Sequence, residues 1–351
     1  MSYIKKPLAR HPGLKPNAVG LTLRDYEGTM STLCAGCGHD SITASIVRAF
    51  WELDMPPERV VKLSGIGCSS KTPAYFVAGA HGFNSAHGRM ATIATGANAA
   101  NRQLVYIGVS GDGDSLSIGL GHLSHAIRRN LNLLYVIENN GVYGLTKGQF
   151  SASADKGSKS KKGEANAFNP IDPVTLALAM GATFIARSFS GDKAQLVPLL
   201  EAGLRHKGFA LVDVISPCVT FNDHEGSTKS YAYTRKHQAA VVEADFVPPA
   251  TEITADYEAG AGLDVTLHDG SVVRLSKVSE AYDPRDRAKV FAHLEEVRTR
   301  GEIPTGLLYI DEDALEMHEV SATVDEPLAS LAHAELCPGG AVLEKIMDAH
   351  R

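Results

Sequence analysis

Apolar runs of strand length alternate along the first two thirds of the chain with segments of helical periodicity. Five almost continuous apolar runs predict buried strands, at 59–64, 103–110, 132–137, 183–188 and 209–216. Between them, apolar residues recur every three or four positions, and a capping pair, Asp40-Ser41, opens the first such segment. Its apolar positions are Ile42, Ile46, Val47 and Phe50. Further helices are predicted at 115–129, 173–180 and 193–206. This alternation predicts an α/β fold, with a mostly parallel sheet covered by helices on both faces.

The pattern changes near residue 250. The segment 263–275 alternates apolar and polar residues around Asp269-Gly270, which predicts a β-hairpin. A polar helix from Pro284, a short strand at 306–311 and a helix at 341–350 follow. We therefore predict two domains, with the parallel sheet in 1–250 and a small α+β extension in 251–351.

Composition and charge narrow the class of protein. The chain has 351 residues, 34 of them basic and 40 acidic, and a net charge of −6. This balance gives no electrostatic reason to expect nucleic acid or an anionic membrane as the partner. The N-terminal basic residues have no apolar run behind them, and no stretch approaches the roughly 20 apolar residues of a membrane span. We expect a cytoplasmic protein, in which cysteines are thiols, metal ligands or redox groups rather than disulfides.

Two motifs at strand ends predict a bound diphosphate and a magnesium ion. Gly111-Asp112-Gly113 ends one predicted strand and Asn139-Asn140 ends the next, with 25 residues between them. The pair resembles the diphosphate-binding signature of thiamine diphosphate enzymes. Mg²⁺ prefers oxygen ligands, which the Asp112 carboxylate, the Asn140 amide and the Val142 carbonyl supply. The glycines let the backbone approach the phosphates, and the helix that begins near Ser115 adds amide donors.

Four of the five cysteines form a second candidate site. Cys34 and Cys37 make a CxxC motif before the first helix, Cys68 lies in a glycine-rich loop, and Cys218 follows the strand 209–216. Each thiol stands at the end of an element, where ligands can converge. Four thiolates suit either zinc or a four-iron four-sulfur cluster, and the spacing does not choose between them. Cys337, in the extension, is interpreted as structural.

Taken together, the motifs resemble the beta subunit of 2-oxoacid:ferredoxin oxidoreductases, most closely the 2-oxoglutarate type. They lie in order between residues 33 and 223: LCAGCGHD, SGIGCSSK, HGR, GDGDSLSIG, NNGVYGLTKGQ and ISPCVTFND. The resemblance implies a thiamine diphosphate-binding fold with Mg²⁺, and a four-iron four-sulfur cluster on Cys34, Cys37, Cys68 and Cys218. No motif beyond about residue 250 carries the resemblance.

The resemblance also implies the reaction and the partners. The implied activity is the CoA-dependent oxidative decarboxylation of 2-oxoglutarate to succinyl-CoA and CO₂, with electrons passing through the cluster to ferredoxin. Thiamine diphosphate lies between two α/β domains in its enzymes, and the strands here suffice for only one. We therefore expect an alpha subunit to complete the site, and a dimer of such heterodimers.

Further residues are assigned roles from their place in the cofactor loops. His87 is predicted to contact cofactor or substrate, and Lys71 and Lys147 to pair with the distal carboxylate of a dicarboxylic substrate or with CoA. His39 and His122 are interpreted as structural, and the basic loop 156–162 is expected to serve the partner, CoA or ferredoxin. The predicted cofactor-binding set comprises Gly65, Ile66, Gly67, Ser69, His87, Gly111, Asp112, Gly113, Asp114, Asn140, Val142, Leu145 and Thr146.

Three alternatives remain open at this point. Pyruvate or another 2-oxoacid could replace 2-oxoglutarate as the substrate. A non-redox thiamine diphosphate decarboxylase or carboligase would need no cluster, which the four cysteines argue against. A zinc-stabilised binding module without catalysis would leave the GDG and double-Asn motifs unexplained.

Overall fold

The computed structural model describes residues 13–160, 163–242, 262–266, 272–276, 282–337 and 339–351. Its strands are β1 (Val60–Ser64), β2 (His81–Asn84), β3 (Val105–Gly111), β4 (Leu133–Asn139), β5 (Val142–Tyr143), β6 (Gln149–Phe150), β7 (Phe184–Phe189), β8 (Phe209–Ile215), β9 (Gln238–Val242), β10 (Gly262–Thr266), β11 (Val272–Ser276) and β12 (Ile303–Ile310). Its helices are α1 (Gly38–Glu52), α2 (Met90–Ala100), α3 (Leu120–Arg128), α4 (Pro173–Met180), α5 (Lys193–Arg205), α6 (Tyr231–His237), α7 (Arg287–Thr299), α8 (Met317–Ser321), α9 (His333–Leu336) and α10 (Gly340–Ala349).

Eight of these strands form one sheet, in the order β2-β1-β3-β4-β8-β7-β12-β9. The first six run parallel to their neighbours, β12 is antiparallel to β7, and β9 is parallel to β12. The predicted α/β class and the mostly parallel sheet are thus confirmed. All five strands predicted from apolar runs lie in this sheet, within two residues of the predicted bounds.

Helices cover the sheet on both faces, as the continuous apolar strands require. In β4, Leu134 and Val136 contribute to the apolar core that contains α1 and α5. The intervening residues Leu133 and Tyr135 contribute to the opposite core, beneath α3 and α4. Because successive side chains of a strand point to opposite faces, only a strand buried on both sides is apolar throughout.

The helix predicted at 115–129 begins differently from an ordinary α-helix. A π-helical turn, Asp114–Ile118, precedes α3, and the Gly119 amide donates to the Asp114 carbonyl at 2.7 Å. Single π turns of this kind are common at functional sites. The turn lies directly after Gly111-Asp112-Gly113, so it shapes the loop that carries the predicted diphosphate motif.

The region beyond residue 250 contributes to the main sheet. The strand predicted at 306–311 is β12, which pairs with β7, and Val290 and Leu294 of α7 belong to the same core as Leu178 of α4. The hairpin predicted at 263–275 is formed by β10 and β11, which pair antiparallel, while its turn, 267–271, lies outside the described residues. The region beyond residue 250 therefore shares a core with the sheet. The domain boundary at residue 250 stays a prediction. None of the helices in the described residues is long and apolar enough to cross a bilayer.

Candidate functional site

The loops after β1, β3 and β4 meet at one cavity at the carboxyl edge of the sheet. Ligands of open α/β sheets bind outside the carboxyl ends of the strands, and the three strands here are adjacent in the sheet. The residues that line the cavity are His39, Ile66, Gly67, Cys68, Ser69, Gly111, Asp112, Gly113, Asp114, Glu138, Asn140, Val142 and Tyr143. The two halves of the predicted diphosphate motif therefore share one cavity.

The Asp112 carboxylate has one oxygen saturated with hydrogen bonds and one comparatively free. Its Oδ2 accepts from the amide of Gly141 at 3.1 Å and from the hydroxyls of Ser151 and Ser153. Its Oδ1 has only the Asn140 amide, at 3.5 Å, among its hydrogen bonds to the described residues. Burial raises the pKa of Asp112, and the bonds from Ser151 and Ser153 act against that rise. A buried carboxylate with one open oxygen fits a divalent cation, which would offset the cost of burying the charge.

The double-Asn turn is held against Asp112 by its own backbone. Asn140 Oδ1 accepts from the Val142 amide at 3.0 Å, and Asn222 donates to the Asn140 carbonyl at 2.8 Å. Gly141 has φ +74°, and a Cβ there would lie 2.7 Å from the Asn222 amide nitrogen. A glycine is thus required at 141 on both conformational and steric grounds. The oxygen donors predicted to hold Mg²⁺ are present, and they fit such an ion.

A neighbouring side chain leaves no room for any residue larger than glycine at position 113. A Cβ at Gly113 would lie 2.4 Å from Cε1 of Tyr143, whose hydroxyl donates to the Gly113 carbonyl at 3.0 Å. The sequence motif suggested a glycine that lets phosphate approach. The structure adds that the Tyr143 ring already occupies the space a side chain would need.

Two residues that line the cavity, Glu138 and His39, were not among the site residues predicted from the sequence. Burial raises the pKa of Glu138 well above its usual value, and Thr72 Oγ1 lies 3.0 Å from both carboxylate oxygens. His39 Nε2 lies 3.7 Å from Glu138 Oε2, and its Nδ1 lies 2.6 Å from Ser216 Oγ. Burial lowers the pKa of His39 to about 4, so the imidazole is neutral near pH 7. The available signal was a glutamate inside an otherwise apolar strand directly before the double Asn.

The four cysteines predicted as a cluster set lie on neighbouring loops beside the cavity. A Cβ at Gly144 would lie 3.3 Å from Sγ of Cys68 and 3.7 Å from Sγ of Cys218, so both sulfurs flank one glycine. The Cys37 amide donates to the Cys34 carbonyl at 3.0 Å, which closes the CxxC turn. Burial, together with the nearby Glu138, Cys218 and Cys68, raises the pKa of Cys37 to about 12.

This thiol set suits a metal because binding would favour the thiolate that burial disfavours. In the part of the chain that the structure describes, no three His, Cys, Asp or Glu side chains are already gathered closely enough to hold a metal ion. The four-cysteine ligand set therefore stays a prediction, and so does the identity of its metal.

The remaining predicted residues lie around the cavity rather than in its lining. His87 is exposed, but the amide of the next residue, Gly88, donates to Asp114 Oδ1 at 2.7 Å, which ties the HGR loop to the cavity. Burial raises the pKa of the Cys68 thiol, and Lys71, three residues further along, partly opposes that rise. The other predicted residues outside the lining are Gly65, Leu145, Thr146 and Lys147; the last three are exposed, and Lys147 has φ +79°.

Fold and site together define a thiamine diphosphate-binding domain. Residues 65–214 match the family model described as thiamine pyrophosphate enzyme, C-terminal TPP binding domain. The 2-oxoglutarate synthase subunit KorB of Methanocaldococcus jannaschii is 36% identical over 54% of this chain and 69% of its own length. The chain belongs to the beta subunits of the 2-oxoacid:ferredoxin oxidoreductase family.

Two further relatives define the extent of the similarity. The 2-oxoacid:ferredoxin oxidoreductase subunit beta of Saccharolobus solfataricus is 43% identical over 56% of this chain. That match spans 65% of the Saccharolobus subunit, slightly less than two thirds of its length. A solved structure of 2-oxoglutarate:ferredoxin oxidoreductase from Magnetococcus marinus, with 2-oxoglutarate, coenzyme A and succinyl-CoA bound, superimposes with a TM-score of 0.73. It is 28% identical, and the superposition covers 97% of this chain and 99% of that one.

Proposed function

We propose that this chain is the cofactor-binding subunit of a 2-oxoglutarate:ferredoxin oxidoreductase that forms succinyl-CoA and CO₂. The observation that carries the proposal is that Cys68, one of the four predicted cluster ligands, lines the same cavity as Asp112 and Asn140. Electron transfer from a decarboxylated 2-oxoacid to iron and sulfur needs the two cofactors close together, and this cavity wall supplies ligands of both kinds.

The proposed Mg²⁺ and diphosphate site uses Asp112, Asn140 and the Val142 carbonyl. Thiamine diphosphate, when bound, supplies the carbon nucleophile and the electron sink for decarboxylating a 2-oxoacid. Asp112 would hold the cation through its open Oδ1, since its Oδ2 is engaged with three donors. Glycine-rich backbone at 65–67 and the turn beginning at Asp114 would present amide groups to the phosphates.

The proposed four-iron four-sulfur cluster is bound by Cys34, Cys37, Cys68 and Cys218. Cys34 and Cys37 precede α1, Cys68 follows β1, and Cys218 follows β8. Strand β1 is one of the three adjacent strands whose ends form the cavity. Thiolate ligation needs no general base from the protein. The role of the chain is to hold the four sulfurs beside the cofactor site.

Substrate choice is proposed to depend on Lys71 and Lys147, with His87 at the entrance. A second carboxylate distinguishes 2-oxoglutarate from pyruvate, and a lysine ammonium can pair with it. Lys71 is half-buried beside Cys68, and Lys147 is exposed on the loop after Gly144. Both cations are proposed to act at the mouth of the cavity, where a dicarboxylic substrate or the CoA phosphates would enter.

An alpha subunit is proposed to complete the site, in a dimer of heterodimers, with ferredoxin as the electron acceptor. Large apolar side chains are exposed on the loops around the cavity, namely Ile118, Leu145 and Val219. Ile118 contacts the position of Gly88, Val219 lies beside Gly36, and Leu145 follows Gly144. Exposed apolar side chains on the loops that surround the cavity favour a protein partner there.

Metal analysis and a visible spectrum of anaerobically purified protein test the two cofactor sites. We expect iron, sulfide and a broad absorbance that Cys68→Ser removes, whereas Cys337→Ser, at an exposed cysteine outside the set, leaves both unchanged. Zinc without iron would contradict the cluster and favour a zinc site. Bound thiamine diphosphate without iron would favour a non-redox decarboxylase.

A substrate comparison tests the assignment of 2-oxoglutarate. Lys71→Met and Lys147→Met are expected to lower kcat/KM for 2-oxoglutarate more than for pyruvate, because only the former has a second carboxylate. Lys193→Met, a lysine at the start of α5, is the matched control. Equal losses for the two substrates would remove the reason for choosing 2-oxoglutarate. The chain expressed by itself should show no 2-oxoacid-dependent dye reduction, and turnover by it would contradict the two-subunit site.

A further inference from the structure

A continuous line of buried polar side chains leads from Asp112 into the centre of the sheet. Ser153 Oγ lies 2.6 Å from Asp112 Oδ2 and 2.8 Å from Asn139 Oδ1. Asn139 Nδ2 donates to Asp213 Oδ1 at 3.0 Å, and Arg187 Nε donates to Asp213 Oδ2 at 2.7 Å. All five residues are buried, none of them more than 7% exposed.

The sheet register explains why these distant residues meet. Asp213 of β8 pairs with Arg187 of β7, so both side chains point to the same face. Asp213 also pairs with Ile137 of β4, and Asn139 stands two residues further along on that face. Ser153 arrives from the loop after β6 and connects this row to the diphosphate motif.

Such a row is costly to bury unless it is fully paired. The strands on either side are apolar, and ionised groups removed from water need partners. Arg187 has two, because its guanidinium also pairs with Asp172, the N-cap of α4. The carboxylates of Asp112, Asp172 and Asp213 outnumber this single guanidinium. Lys229, which also acts on Asp112 electrostatically, is itself paired with Asp155 at 3.0 Å.

We propose that Ser153, Asn139 and Asp213 are positioning residues that hold Asp112 with its Oδ1 free for a divalent cation. The inference rests on the proposed function, since it concerns the Mg²⁺ site of that cofactor. Arg187 anchors the row at its far end. The first Asn of the double-Asn motif thereby has a role separate from the second: Asn140 lines the cavity, and Asn139 points inward to Asp213.

The charges support this arrangement. A doubly charged cation at Asp112 would balance the two carboxylates that the guanidinium leaves uncompensated. The Gly141 amide and the Ser151 and Ser153 hydroxyls all approach Oδ2, so the carboxylate cannot rotate without losing these contacts. Loss of Ser153 would remove one of these donors and separate Asp112 from Asn139.

The test is a Mg²⁺ titration of the full-length protein, purified with any subunit that it retains, at saturating thiamine diphosphate. Ser153→Ala is expected to weaken Mg²⁺ binding by about 10- to 100-fold, the usual cost of removing a partner of a metal ligand. Ser45→Ala is the matched control, because Ser45 is equally buried but donates to the Ser41 carbonyl within α1. Thermal unfolding without cation is measured for both variants, so that a general loss of structure is recognised.

Asn139→Ala and the double variant complete the experiment. If the row acts as a unit, the double variant should lose little more Mg²⁺ affinity than the worse single variant. Unchanged Mg²⁺ affinity in Ser153→Ala would overturn the inference and leave the proposed function intact. If Ser153→Ala does not fold, Asn139→Ala alone decides, and unchanged affinity there has the same meaning. A wild-type protein that binds neither Mg²⁺ nor thiamine diphosphate would overturn the proposed function itself.

Discussion

The Asp112→Asn variant separates the function of the buried carboxylate from its structural role. Asparagine keeps the size of the side chain and one carbonyl oxygen, which can accept the bonds from Gly141, Ser151 and Ser153 that now end on Oδ2. The amide group must then replace Oδ1, the oxygen that is open toward the cavity. A divalent cation at this position would then face N–H groups instead of a carboxylate oxygen, and the site would carry one negative charge fewer.

The expected loss of affinity follows from simple electrostatics. A divalent cation and a carboxylate 4 Å apart interact by about 8 kcal/mol at an effective dielectric constant of 20. Part of this interaction energy is offset because the variant no longer removes a carboxylate from water. We therefore expect the binding free energy for Mg²⁺ to weaken by about 3 kcal/mol. That corresponds to an increase in the Kd for Mg²⁺ of about 100-fold.

The stability of the cation-free protein should change much less. Burial raises the pKa of Asp112, so the charged form costs folding free energy that asparagine avoids. Against this, three hydrogen bonds lose their charge assistance, at about 1 kcal/mol each. The two effects oppose each other, and we expect the free energy of unfolding to stay within about 2 kcal/mol of the wild type.

Calorimetric Mg²⁺ titration with thiamine diphosphate, together with urea unfolding, measures both quantities. Asp348→Asn, at an exposed aspartate of α10, is the control for the loss of one negative charge. Equal Mg²⁺ affinity in Asp112→Asn and the wild type would refute the assignment of Asp112 as a ligand. Unfolding of the variant under conditions where the wild type is folded would show that the carboxylate is a structural anchor.

Three further predictions concern packing and pH. Gly113→Ala should lower the free energy of unfolding by about 1–3 kcal/mol, because its Cβ would overlap the Tyr143 ring. The control is Gly121→Ala in α3, whose Cβ meets nothing within 4 Å and should not destabilise the protein. Equal urea midpoints for the two variants would contradict the predicted overlap. Arg187→Met should cost about 3–5 kcal/mol in urea unfolding, because the buried Asp213 and the partly exposed Asp172 both lose their counter-ion. A cost below about 1 kcal/mol would show that Asp213 is not ionised. Burial raises the pKa of the Glu201 carboxyl from 4.5 to about 8. Between these two pH values the unfolded chain has already lost the carboxyl proton while the folded chain retains it, so the free energy of unfolding falls as the pH rises. Glu201→Gln should flatten the fall, and the same pH slope in both proteins would refute it.

The sequence by itself determined the elements and the local motifs. Apolar periodicity located the five central strands because each is buried on both faces, and the alternating run 263–275 correctly located the antiparallel pair β10 and β11. The distance between Gly111-Asp112-Gly113 and Asn139-Asn140 was informative because adjacent parallel strands end at one edge. These features depend on neighbours along the chain or on one repeated unit of strand, helix and strand.

The tertiary structure decided which distant residues meet. Periodicity does not say which strands pair, so nothing in the sequence placed β12 between β7 and β9. For the same reason, Ser153 and Asp213 could not be connected with Asp112, and Glu138, one residue beyond the predicted strand 132–137, was assigned no role. Hydrogen bonds between residues far apart in sequence depend on strand order and register, which are fixed only when the whole sheet packs against its helices.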